Sequence, residues 1–209
     1  MKRNKLFLIG LFLVSVLYLF VRFYRLNELV GFRLDQGVHL LETKTMIDEK
    51  KIKLVGPMVT SKSIDGRNFF IGANYYYVLG LVGLVSNWDP LTITAILVIV
   101  EYIFYLVFVW ILGRKFGQVE ALSIFIFIAI SPYLVIHSRF FWNPHLLIPL
   151  AIATWVVSEK YFIKKDKKYL FLMAFLWGFA FSCHYTGVFW GIFFVYVMFK
   201  ANLWKDIKA

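Results

Sequence analysis

The chain has 209 residues, 61% of them hydrophobic, 20% aromatic and only 17% charged, with a mean hydropathy of +0.73. That balance excludes an ordinary soluble domain and makes lipid the main solvent. The net charge of +11 would suggest a nucleic-acid partner in a soluble protein, but here the lysines and arginines cluster in short segments between apolar runs; the pattern is topogenic and no nucleic acid is expected.

A spanning helix needs roughly 20 apolar residues at about 1.5 Å each, which leaves room for about six spans and no separate soluble domain. The expected fold class is therefore an all-α membrane protein. The chain opens on Met1-Lys2-Arg3-Asn4-Lys5 and an uncharged run over 6–21. A basic start followed by an apolar run without a small-x-small cleavage site reads as an uncleaved signal anchor. Six further apolar runs follow, over 69–85, 91–112, 121–136, 140–157, 169–183 and 185–199.

Charge arbitrates which of these seven runs cross. If all do, with the N-terminus inside, four basic residues face in and ten face out once the first loop is set aside, against the positive-inside rule. If 69–85 does not cross, thirteen face in and Arg139 alone faces out. Gly72, Gly80, Gly83 and Tyr75-Tyr76-Tyr77 also suit an interfacial helix better than a lipid-facing span, the alternative being a short tilted span. The preferred topology has six spans, a cytoplasmic N-terminus and an external first loop over 22–87 with a non-crossing helix at 69–85. The turns 137–145 and 182–187 are external too. The basic run 160–168 is a cytoplasmic loop that can also meet anionic membrane lipid.

The first loop holds six of the twelve carboxylates. On a helix beginning near Arg33, Leu34, Val38, Leu41 and Thr45 share one stripe, and Asp35, His39 and Glu42 share the next. One face would rest on membrane or protein while the other presents two carboxylates and an imidazole. A carboxylate near an apolar surface is a better general base toward a hydroxyl, which makes Asp35 the first catalytic candidate. The competing reading is that Asp35 caps this helix.

In the second external turn, Arg139 lies between His137 and His145, beside Trp142, Asn143 and the helix-breaking Pro144. A guanidinium at the membrane face suits a phosphate, because its fork bonds two oxygens at once; the alternative is an interfacial arginine in an aromatic belt. His137 and His145 read as interfacial polar residues, since no local carboxylate joins them as a metal ligand. Glu101, mid-span, reads as protonated or hydrogen-bonded to a neighbouring helix. Cys183 is the single cysteine, which excludes an internal disulfide; no Cys or His pair has zinc spacing, and no cofactor is implied.

Taken together, Tyr24-Arg25-Leu26, Asp35-Gln36-Gly37, Gly72-Ala73-Asn74-Tyr75-Tyr76-Tyr77, Ser131-Pro132-Tyr133, Ser138-Arg139 and Trp142-Asn143-Pro144 resemble the GT-C membrane glycosyltransferases. The nearest likeness is to glycosyltransferase family 39, the branch of protein O-mannosyltransferases and aminoarabinose transferases. The resemblance implies one GT-C-like transmembrane module over 1–209, transferring a sugar from a polyprenyl-phosphate donor to a hydroxyl-bearing acceptor at the external face. It implies that Asp35 is the base, at the first position of an acidic motif whose second position is Gln36 here. Arg139, with Arg67, would face the lipid phosphate; His137 and Asn143 would flank it; His39 and Glu42 are secondary candidates. The family's longer members continue through further spans, so the resemblance implies a chain lacking the C-terminal part, which a partner chain could supply. A non-catalytic protein binding a polyprenyl-phosphate lipid or a partner subunit is the alternative. A small transporter fits less well, because apart from Glu101 and Glu120 the spans carry no acidic or basic residue to line a polar path.

Overall fold

The computed structural model describes residues 2–59 and 65–201, with side chains from Lys5 onward; the tail lysines Lys205 and Lys208 lie outside the described residues. In chain order the elements are α1 (Lys2–Phe23), α2 (Leu26–Leu29), α3 (Leu34–Asp48), β1 (Val55–Val59), β2 (Phe69–Gly72), α4 (Asn74–Val85), α5 (Pro90–Lys115), α6 (Gln118–Ile130), α7 (Pro132–Ser138), α8 (Leu147–Lys164), α9 (Lys168–Cys183) and α10 (Trp190–Lys200). They fall into two compact units: Met1–Leu40 with Val82–His145, and Leu41–Leu81 with Leu146–Ala209.

In the first unit, α1 packs on α6 and α6 on α5. Phe7, Val14, Tyr18 and Arg22 recur at helical spacing on the buried face of α1, while Leu6, Leu13 and Phe20 stay exposed, as expected of a helix with one side toward lipid. At the start of α5, Asp89 accepts a hydrogen bond from the Thr92 amide at 2.8 Å, and Pro90 takes the first helical position, where its missing N–H is no loss. Pro132 has the opposite effect in the run 121–136. It cannot continue the helical ladder, so the run breaks into α6 and α7, bent by 58°.

In the second unit, α8 packs on α9, and Tyr161, Met173 and Val197 form a buried core flanked by Val157, Phe162, Phe193 and Phe194. Strands β1 and β2 pair antiparallel, Val55 opposite Gly72 and Met58 opposite Phe70, with a bulge at Gly56-Pro57 that accommodates a proline unable to donate to the ladder. A Cβ on Gly56 would lie 2.0 Å from the carbonyl oxygen of Gly72. Backbone cannot retreat as a side chain can, so Gly56→Ala is expected to destabilise the protein by at least about 2 kcal/mol. Thermal unfolding in detergent checks this; an unchanged midpoint would contradict the pairing.

Three helical stretches, Lys5–Phe23, Pro90–Lys115 and Asn143–Lys164, are long and apolar enough to cross a membrane, and α6 with α7 makes a fourth if the bent pair is one span. The apolar helices Asn74–Val85, Lys168–Cys183 and Tyr185–Lys200 are shorter. Three boundaries differ from expectation, the first being the run 185–199, which opens as the 3-10 turn Tyr185–Phe189 before α10 begins at Trp190. The helix expected at 69–85 starts only at Asn74, because 69–72 is spent on β2. The run 140–157 begins as the 3-10 turn Asn143–Leu146, where Pro144 interrupts it, and then continues to Lys164.

Candidate active site

Helix α3 is set up by its own sequence. The Arg33 amide donates to Gln36 Oε1 at 2.9 Å, so Gln36 reaches back over the first turn and satisfies an amide that the helix leaves open. Gln36 is 2% exposed. Capping therefore falls to Gln36, and Asp35 is an exposed residue of the first turn, where the helix dipole favours a carboxylate.

The buried face of α3 is Gln36, His39, Thr43 and Met46. The expected stripe of Asp35, His39 and Glu42 is thereby divided. Asp35 stays outside, His39 turns inward, and Glu42 forms an ion pair with Lys53 of the second unit, whose backbone carbonyl accepts from the Tyr77 hydroxyl at 2.8 Å. The neighbouring apolar stripe is left open: Leu34 is 80% exposed and Leu41 67%. An exposed carboxylate thus sits beside a row of side chains with affinity for lipid.

Burial holds the His39 imidazole below its ordinary value, against the opposing pull of Asp35 one turn earlier. The unfolded chain therefore takes up this proton first as pH falls through about 6.5. Stability should fall as pH drops through that window and recover as pH rises. His39→Gln should flatten that part of a plot of melting temperature against pH; an unaltered slope would contradict it.

Two arginines tie the end of α1 to the α6–α7 region: Arg139, in the turn after α7, and Arg22, which reaches the last turn of α6. Arg139 Nη2 donates to the carbonyl of Val21 at 2.8 Å, and the Arg139 carbonyl accepts from the Gly31 amide at 2.8 Å. Close approach is possible because Gly31 has no Cβ; one would stand 3.2 Å from Cβ of Phe140. The Phe32 and Phe141 rings extend this contact at 6.1 Å.

The second arginine, Arg22, is fully buried. Its Nη1 and Nη2 donate to the carbonyls of Ala129 and Ile128, each at 3.0 Å, and its guanidinium lies 3.5 Å from the centroid of the Tyr18 ring. Those carbonyls belong to the last turn of α6, which the break at Pro132 leaves without helical donors. Glu101 lies within electrostatic reach of Arg22, and Tyr102 and Tyr105 pack on Tyr18. This buried network was not anticipated from the sequence, which treats Arg22 as the first residue of a loop. Tyr18 and Arg22 one turn apart, with an acid at mid-span in need of a partner, are the signal that could have found it.

His137 belongs to a ring cluster, 4.2 Å from Tyr133, 5.6 Å from Phe140 and 5.8 Å from His145, and Asn143 is buried at the head of the 3-10 turn. Arg67, in the second unit, is exposed and paired with Asp65 at 2.8 Å. Among the described residues, no three His, Cys, Asp or Glu side chains converge as a metal site. The first unit thus ties the lead-in to Asp35 to the turn that carries His137, Arg139 and Asn143, while Glu42 and Arg67 belong to the second.

The family model for dolichyl-phosphate-mannose-protein mannosyltransferases matches residues 74–209, more than half of the chain. The chain belongs to that family. It is a GT-C glycosyltransferase in type, embedded in the membrane through its apolar helices. The matched segment holds His137, Arg139 and Asn143 and starts after Asp35, His39, Glu42 and Arg67. Comparisons with curated proteins and with solved structures found no match.

Proposed function

We propose that this protein transfers mannose from a polyprenyl-phosphate donor to a hydroxyl-bearing acceptor at the outer membrane face, with Asp35 as general base. Asp35 takes the acceptor proton as the hydroxyl oxygen attacks the anomeric carbon, the bond from that carbon to the phosphate oxygen breaks, and polyprenyl phosphate leaves. Arg139 supplies positive charge to the departing phosphate. Its guanidinium is held at that place by the bond from Nη2 to the Val21 carbonyl. His137 and Asn143, in the same unit, flank that position.

The observation that carries this reading is the exposed carboxylate of Asp35 beside the exposed Leu34, Val38 and Leu41 stripe, in a chain of this family. A base working on a lipid-linked sugar belongs where a helix meets the membrane surface, and this stripe favours that placement. The outer-face assignment is supported by the basic residues of the loops and by α4, whose 12 residues reach about 18 Å against a hydrocarbon thickness of about 30 Å. Proteoliposomes carrying polyprenyl-phosphate mannose and a hydroxyl acceptor peptide test the reaction. Donor loss matched by mannosylated peptide is expected, and donor binding without turnover would favour a non-catalytic lipid-binding role. Labelling of a cysteine introduced within 113–117 by an impermeant reagent from outside would overturn the orientation.

A further inference from the structure

Asp35 stands four residues after Gly31, so their Cα atoms lie within about 14 Å of each other even on an extended chain. Gly31 is itself fastened to the turn after α7, because its amide donates to the Arg139 carbonyl at 2.8 Å. The base and the cation of the proposed transfer are therefore joined by one backbone hydrogen bond and a short connector, Gly31-Phe32-Arg33, all within the first unit.

The far end of this connector is already tied to α3. The Arg33 amide donates to Gln36 Oε1, and the Arg33 carbonyl accepts from the Gly37 amide at 3.0 Å. The middle is braced by Phe32. Its ring meets the ring of Phe141 at 6.1 Å, and it also lies against the first turn of α3, where a Cβ on Gly37 would stand 3.7 Å from Cε1 and 3.8 Å from Cζ, in ordinary contact. Phe141 is fully buried and so makes a fixed anchor, whereas Phe32 is 52% exposed. A ring half open to its surroundings gains less from burial than a core residue does, yet both contacts of this one link α3 to the turn that carries Arg139.

We propose that Phe32 and Gly31 are positioning residues that hold Asp35 in fixed register with Arg139, a role that rests on the transferase reading above. In that reading the base acts at the bond that forms and the arginine at the bond that breaks, so one separation must be kept through the displacement. The Arg139 end is pinned separately, by Nη2 on the Val21 carbonyl. A connector loosened at Phe32 leaves Arg139 in place and lets Asp35 stray, which lowers the rate and spares donor binding.

The full chain in proteoliposomes, with polyprenyl-phosphate mannose and a hydroxyl acceptor peptide, gives kcat and donor KM for wild type and variants. Phe32→Ala is expected to lower kcat about tenfold, with donor KM and the melting midpoint in detergent unchanged, since a displacement well under 1 Å suffices. Gly31→Ala, whose Cβ would press to 3.2 Å from Cβ of Phe140, should act in the same direction. Phe32→Leu keeps an apolar branch and should recover most of the rate. With Asp35→Asn already present, Phe32→Ala should leave the residual rate as it is, because no base remains to be placed; a further tenfold fall would overturn the positioning role. Hydrogen exchange reads the brace without turnover. The amides of 37–39 should exchange about tenfold faster in Phe32→Ala, and those of 44–48 as in wild type. Unchanged exchange at 37–39 would overturn the brace whether or not the protein transfers sugar. Faster exchange with a wild-type kcat would overturn the positioning role and leave the transferase reading standing. Absence of transfer by wild type would overturn that reading, and with it the role given to the brace.

Discussion

Replacement of Asp35 by asparagine is expected to lower kcat for mannose transfer by about a thousandfold, with KM for the donor little changed, because a general base acts on the transition state and not on ground-state binding. Asparagine keeps the size and polarity of the side chain and loses only the capacity to take the proton. Since Asp35 is exposed and the cap of α3 is supplied by Gln36, the same change should leave the fold nearly as stable as wild type. Glutamate at position 35 restores a base one methylene out of place and should recover part of the lost rate. Glu42→Gln, which touches an ion pair with Lys53, should alter turnover far less. Equal losses at positions 35 and 42 would place the base elsewhere.

Arg22→Ala is expected to destabilise the protein by about 3 kcal/mol or more. The change removes two hydrogen bonds, leaves the carbonyls of Ile128 and Ala129 without donors in a buried site, takes the cation from above Tyr18 and strands Glu101. Lysine keeps the charge but not the fork, so Arg22→Lys should lie between alanine and wild type. If the loss is shared with the acid, combining Arg22→Ala with Glu101→Gln should cost less than the sum of the two single changes. Unfolding in detergent, followed by circular dichroism, measures wild type and the four variants. A midpoint for Arg22→Ala within error of wild type would remove the network from the account of this fold.

What could be read from the sequence followed from periodicities and charges that act locally. The apolar runs gave the long helices, Pro144 gave a break, and Asp35 was singled out by its stripe on α3 and by resemblance, whereas the run 121–136 was read as continuous and Pro132 divides it. What could not be read depended on partners far along the chain. Arg22 has the look of a loop residue until Ile128 and Ala129, more than a hundred positions away, turn out to need its two donors. His39 is indistinguishable by spacing from Asp35, and only packing sends one inward and leaves the other outside. The hairpin was hidden because Pro57 weakens the strand signal, and its acceptance in a bulge depends on where Gly72 lies. Gln36, a departure from the acidic motif, becomes intelligible as a side chain that reaches back to the Arg33 amide.

On the proposed reading, α3 carries the catalytic base of a lipid-linked mannosyltransferase. The most direct test is the initial rate of mannose transfer from polyprenyl-phosphate mannose by wild type and Asp35→Asn, reconstituted side by side at matched amounts of folded protein. Transfer by wild type and a rate near background for the variant are expected. Transfer by Asp35→Asn at the wild-type rate would contradict it.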